Sequence, residues 1–150
     1  MVDEDVSLPP LRLGWTVLAV AAGGAIGTLI RAEILTLQST PPSLDVPSVA
    51  AHPWTAYVPW WLLVVNTFGV LVAAWLLAGP LRGRSPDDNW RLFALTGFLG
   101  GLTSYSALIR DVDLIKAHSI VGATVTLVGA IVVGVFAAAL GVLTARLTWP

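Results

Sequence analysis

The sequence contains no cysteine, so disulfides, thiolate metal sites and cysteine nucleophiles are all excluded. It is also poor in charge: only 11% of its 150 residues are Asp, Glu, Lys or Arg, against about 25% in soluble domains. With 8 basic and 9 acidic residues the net charge is −1, which makes no case for a nucleic-acid partner. The two histidines, His52 and His118, lie outside the apolar runs and far apart, and read as loop histidines rather than metal ligands or a proton relay. No paired carboxylates fall within an apolar run, no nucleophile stands beside a base, and no phosphate-cradling loop follows a strand. The chain does not read as an enzyme.

What the sequence has instead is hydrophobicity, with 56% apolar residues and a mean hydropathy of +0.82. Four stretches carry no charge at all: 13–30, 57–79, 92–109 and 119–145. A helix needs roughly 20 mostly apolar residues to cross the hydrocarbon core, and a soluble bundle would show a polar stripe on each helix. These segments show none, so the expected fold is all-α and membrane-embedded in the lipid bilayer. It is one domain of four transmembrane helices at about 13–35, 57–79, 91–110 and 119–146. Tryptophans sit at the edges (Trp15, Trp54, Trp60, Trp61, Trp90 and Trp149) as in an aromatic belt, and Trp75 lies deeper. The acidic start, Asp3 to Asp5, lacks the positive segment of a secretory signal, so the first run reads as a retained anchor. Pro41, Pro42, Pro47 and Pro53 imply an extended first connection.

Orientation follows the basic residues. Arg12, Arg82, Arg84, Arg91 and Arg146 fall on one side, Arg110 and Lys116 on the other, so five against two place both termini in the cytoplasm.

Three polar features interrupt the apolar runs. The first span has Gly23, Gly24 and Gly27 followed by Arg31. The glycines allow close helix approach. Arg31 has two readings, an arginine snorkelling to the interface or a positive vestibule that attracts an anion, and Glu33 is near enough to weaken that field. The second span has Asn66 near its centre, with Gly69 one turn on. Its amide is either an interhelical hydrogen bond or a donor to an anion. The third span holds three glycines and five hydroxyls between Thr96 and Ser106. A break at Gly100–Thr103 would expose carbonyls to a hard cation and give the next half-helix a free N-terminus suited to anions. The other reading is close packing through Gly97 and Gly101, with hydroxyls bonded to their own helix. The fourth span carries Gly122, Gly129, Gly134 and Gly141, read as packing faces.

These residues, in this order, resemble the CrcB/Fluc family of fluoride channels, small four-span proteins of bacterial cell membranes. The resemblance rests on Gly23-Gly24-x-x-Gly27-x-x-x-Arg31, on Asn66-x-x-Gly69, and on Gly97-Phe98-x-Gly100-Gly101-Leu102-Thr103-Ser104-Tyr105-Ser106. It implies passive fluoride export by an antiparallel dimer, and a structural Na⁺ held by carbonyls of Gly100 and Thr103. It further implies a vestibule role for Arg31 and anion-facing positions at Asn66, Ser104, Tyr105, Ser106, Leu108 and Thr126. Four positions depart from the family pattern. Tyr105 stands where the first pore phenylalanine is expected, and Leu108 lacks the second ring. Ala107 replaces a threonine, and Ala130 aligns with a serine, with Thr126 one turn earlier. These departures and the charge bias leave open a homodimer or a heterodimer with an oppositely oriented paralogue, in which this chain is a partly degenerate, non-conducting partner. A third reading, a four-span proton-coupled exporter, needs an embedded carboxylate, and Glu33 at a span's edge is the sole candidate.

Overall fold

A computed structural model describes residues 10–37 and 54–149, with side chains described from residue 13 onward. The proline-rich connection and His52 lie outside the described residues. Helix α1 runs Pro10–Thr36. A short 3₁₀ turn, Trp54–Tyr57, leads into α2, Trp60–Ala78. The third span, α3, is composite: an α-turn at Asn89–Arg91, a π-helical stretch at Leu92–Leu99 and a final α-turn at Gly100–Leu102. After a two-residue interruption it resumes as α4, Tyr105–His118, and α5 closes the fold at Ile120–Thr148. No strands occur among the described residues, and four helical spans have the length and apolarity to cross a membrane.

Two backbone-to-backbone seams hold the spans together. α1 packs along α3, and α2 along α5. In the first seam a Cβ on Gly23 would lie 2.5 Å from the Phe93 carbonyl oxygen, one on Gly97 2.7 Å from that of Val20, and one on Gly101 2.5 Å from that of Gly24. Without a hydrophobic drive between helices in lipid, such close approach is what gives association its van der Waals energy. In the second seam Gly141 abuts the Leu71 carbonyl and Ala74, and Gly122 sits under the Trp54 ring. Gly129 and Gly134 have nothing within 4 Å, so the spacing-by-seven expectation holds for only one member of each pair.

The polar ends are capped. Ser119 both ends α4 and begins α5: its N–H donates to Ile115 O at 2.8 Å, and its hydroxyl accepts from Gly122 N at 3.0 Å. Asp88 caps α3 by accepting from the Arg91 N–H at 3.0 Å, and pairs with Arg84 at 3.1 Å. The Arg91 N–H bond, aided by the Arg84 guanidinium, holds the Asp88 carboxyl below the usual carboxylate range. A lowered folded-state pKa means the ionised cap's contribution is present above the ordinary carboxyl pKa and lost as pH falls through the lowered value. Asp88→Ala is therefore expected to lower Tm at neutral pH. The gap from wild type should narrow below about pH 4, as followed by thermal unfolding in detergent; a gap independent of pH would refute the ionised cap.

Candidate functional site

The interruption of the third span falls at Thr103 (φ −89°, ψ 150°) and Ser104 (φ −148°, ψ 110°), both extended. The glycine pair before it stays helical, since Gly100 has φ −63° and ψ −36°. The two sequence readings are both realised, divided between residues: Gly97 and Gly101 pack against α1, and the break begins at Thr103. Steric demand decides this, because Gly101 is used up in contact with the Gly24 backbone.

A break inside a membrane leaves backbone groups without helical partners, and here neighbouring spans supply them. The Asn66 Oδ1 accepts from the Ser104 N–H at 2.9 Å, while its Nδ2 donates to the Ser104 carbonyl at 3.2 Å. This two-point clasp fixes the amide's orientation, since the opposite flip would set donor against donor. One Nδ2 hydrogen remains uncommitted. An Arg31 NH group donates to the Thr103 carbonyl at 3.3 Å, so the guanidinium reaches inward to the break. Glu33 forms no ion pair with it, the described ion pairs being Arg84–Asp88 and Arg110–Asp111. The Thr103 hydroxyl donates to Leu99 O at 2.9 Å, and that of Thr28 to Gly101 O at 3.5 Å. Gly69 leaves room on α2 for the Thr103 methyl, which a Cβ there would strike. That contact explains the Asn66-x-x-Gly69 spacing. One residue clasps the break, and the other makes room for it one turn away.

Beside the break opens a groove of about 240 Å³ whose lining includes Asn66, Thr67, Ser104, Tyr105, Leu108 and Ala130. Ser104 caps α4, accepting from Ala107 N at 3.2 Å, and its oxygen lies 3.3 Å from that of Ser106. The N-terminus of α4, 14 residues long, thus opens at the groove, where its unpaired N–H groups and dipole favour negative charge. Tyr105 is 69% exposed, whereas Leu108, at 6%, belongs to a core with Tyr57, Leu62, Val112 and Ile115. Leu108 therefore packs the fold as well as touching the groove, which a sequence alignment alone does not show.

Thr126 is placed elsewhere. It is 7% exposed, donates to Gly122 O at 2.9 Å and lines a second, larger groove of about 580 Å³ between α2 and α5, walled by Trp54, Trp60, Phe68 and Val125. His118 stacks on Tyr57, ring centroids 4.2 Å apart, with its Nδ1 3.0 Å from Leu114 O. Among the described residues no cluster of three or more His, Asp or Glu is placed to hold a metal. Sequence reasoning passed over Thr67, because a threonine in an apolar run is usually bonded to its own helix.

Four membrane spans, a mid-membrane break clasped from α1 and α2, and polar groups gathered at a groove beside it define a multi-pass membrane protein of channel type. Residues 18–142 match the model of the family described as CrcB-like protein, Camphor Resistance (CrcB), and the chain belongs to that family. It is similar to a protein named fluoride-specific ion channel FluC 2 from Leifsonia xyli subsp. xyli, 38% identical over 77% of this chain and 72% of the relative. A fluoride-specific ion channel FluC from Erythrobacter litoralis is 37% identical over 71% of each chain. A FluC 2 from Thermobifida fusca is 39% identical over 71% of this chain and 70% of its own.

Proposed function

We propose that this chain is a subunit of a channel that passes fluoride down its electrochemical gradient. The observation that carries the reading is the convergence, at one groove, of the α4 N-terminus with a spare Asn66 hydrogen and the hydroxyls of Ser104 and Tyr105. A small, strongly hydrated anion needs close donors to replace its water shell. The Tyr105 ring edge adds positive partial charge, and the Arg31 guanidinium at the Thr103 carbonyl adds a full one. The names of the relatives supply the identity of the anion.

The groove also argues for a second subunit. The extended pair Thr103 and Ser104 is only half-buried, with Gly100, Tyr105 and Ser106 exposed around it in the middle of an otherwise apolar span, and lipid-exposed irregular backbone is not tolerated in hydrocarbon. An oppositely oriented copy, or a paralogue, would cover the break. A structural Na⁺ belongs to the same proposal, and one chain alone does not fit it. Gly100 and Thr103 offer two carbonyl oxygens where hard cations take about six, and the Thr103 oxygen already accepts from Arg31. A sodium site at the break therefore requires oxygens from the second subunit and a guanidinium that yields.

The test is efflux from liposomes holding the purified chain. Fluoride efflux well above protein-free vesicles, little chloride efflux, and no requirement for a pH gradient are expected. No fluoride flux either alone or with an oppositely oriented paralogue would sink the channel reading. Flux only with the paralogue would establish the heterodimer that the charge bias favours.

A further inference from the structure

Resting on the fluoride reading, we infer that Thr67 is an anion-contacting residue of this pore, supplying from α2 a hydroxyl donor that no described protein acceptor takes. In the helices, the hydroxyls of Thr103, Thr124, Thr126 and Thr144 each donate to a carbonyl four residues back at 2.9 Å, and that of Thr148 does so at 3.0 Å. A threonine so bonded has spent its one proton. The Thr67 hydroxyl, half-buried at mid-helix in α2, makes no hydrogen bond among the described residues and lines the groove.

The alternatives at that wall are few. The Asn66 amide gives its oxygen and one hydrogen to the Ser104 backbone, the Ser104 and Ser106 hydroxyls lie 3.3 Å apart so that one can donate to the other, and Tyr105 is 69% exposed. Leu63, Leu127 and Ala130 contribute no donor. Thr67 also lines the larger apolar groove, together with Leu63 and Ala130, so these three residues form the ridge between the two. An unpaired hydroxyl on an apolar ridge is costly unless a ligand or water takes it. An anion in the smaller groove is the partner whose charge matches a donor set with no free carboxylate beside it.

Thr67→Val keeps the shape and removes the proton, while Thr67→Ser keeps the proton. In the liposome assay fluoride efflux should fall about tenfold in Thr67→Val and stay within about twofold of wild type in Thr67→Ser, with the Tm of both close to wild type because no internal hydrogen bond is lost. Thr67→Ala, which adds no bulk, serves should the valine variant not fold. Valine or alanine efflux within twofold of a conducting wild type would overturn this inference alone. A serine variant as slow as the valine one would overturn it too, by making the effect one of packing. Wild-type silence, with or without a paralogue, would overturn the channel reading first and this inference with it.

Discussion

Replacing Gly27 with alanine is expected to lower Tm by roughly 2–12 °C, with loss of monodisperse protein. Replacing its neighbour Gly24 should change little. A Cβ on Gly27 would strike the Phe98 carbonyl oxygen and stand 2.8 Å from the Leu102 backbone nitrogen. Both are main-chain atoms that no rotamer change can move. On Gly24 the nearest atom is the Gly97 carbonyl at 3.9 Å, an ordinary contact. Overpacking of this kind costs about 1–3 kcal/mol or more, and 1 kcal/mol shifts Tm by about 2–4 °C for a chain of this size. The shift in α1 would also carry Arg31 away from the Thr103 carbonyl, so residual fluoride flux should fall with stability. Equal Tm for the two variants in detergent, by light scattering or fluorescence, would show that the α1–α3 seam is not close-packed.

Asn66→Leu has the second large expected effect, and it separates two roles for one side chain. Leucine matches the size but leaves the Ser104 N–H and carbonyl without partners inside the membrane, where each unsatisfied group costs several kcal/mol. Fluoride efflux should drop by more than about 100-fold, the equivalent of roughly 2.7 kcal/mol, and Tm should fall together with it. If Asn66 acted only as a donor to the passing anion, efflux would drop while Tm held. That outcome would remove the clasp from the account, although the 2.9 and 3.2 Å bonds to Ser104 lead us to expect the joint loss.

Much of the architecture was legible in the residues. Charge-free runs of sufficient length dictate spanning helices, because a continuous apolar segment satisfies its own backbone in hydrocarbon only as a helix. Gly23, Gly27, Gly97 and Gly101 announced a close helix seam by their spacing of four. The break was legible as a region and not as a residue. Composition placed it at Gly100–Thr103, whereas it lies at Thr103–Ser104, because Gly97 and Gly101 were needed for packing against α1 and the extended pair is held by Asn66 and Arg31 from other spans. The π-helical stretch Leu92–Leu99 had no local signal. The third span was also expected to end near residue 110, yet α4 continues through Arg110, Asp111, Asp113 and Lys116 to His118, since charged residues at a helix end can sit at the interface.

For the site, the sequence by itself determined which polar residues a membrane protein of this composition carries, and hence the candidates for an ion path, among them Asn66, the Ser104–Ser106 hydroxyls and Arg31. It determined membership of a fold through motifs whose glycines are there for steric reasons. Tertiary structure alone decided how each polar group is spent. Asn66 is bound mostly to backbone, Arg31 turns inward, Thr126 belongs to a different groove, Leu108 to a core, and Thr67 keeps a free proton. The reason is physical: a hydrogen bond across spans joins residues such as Asn66 and Ser104, 38 apart in sequence, and periodicity along one helix carries no information about which partner on another will reach it.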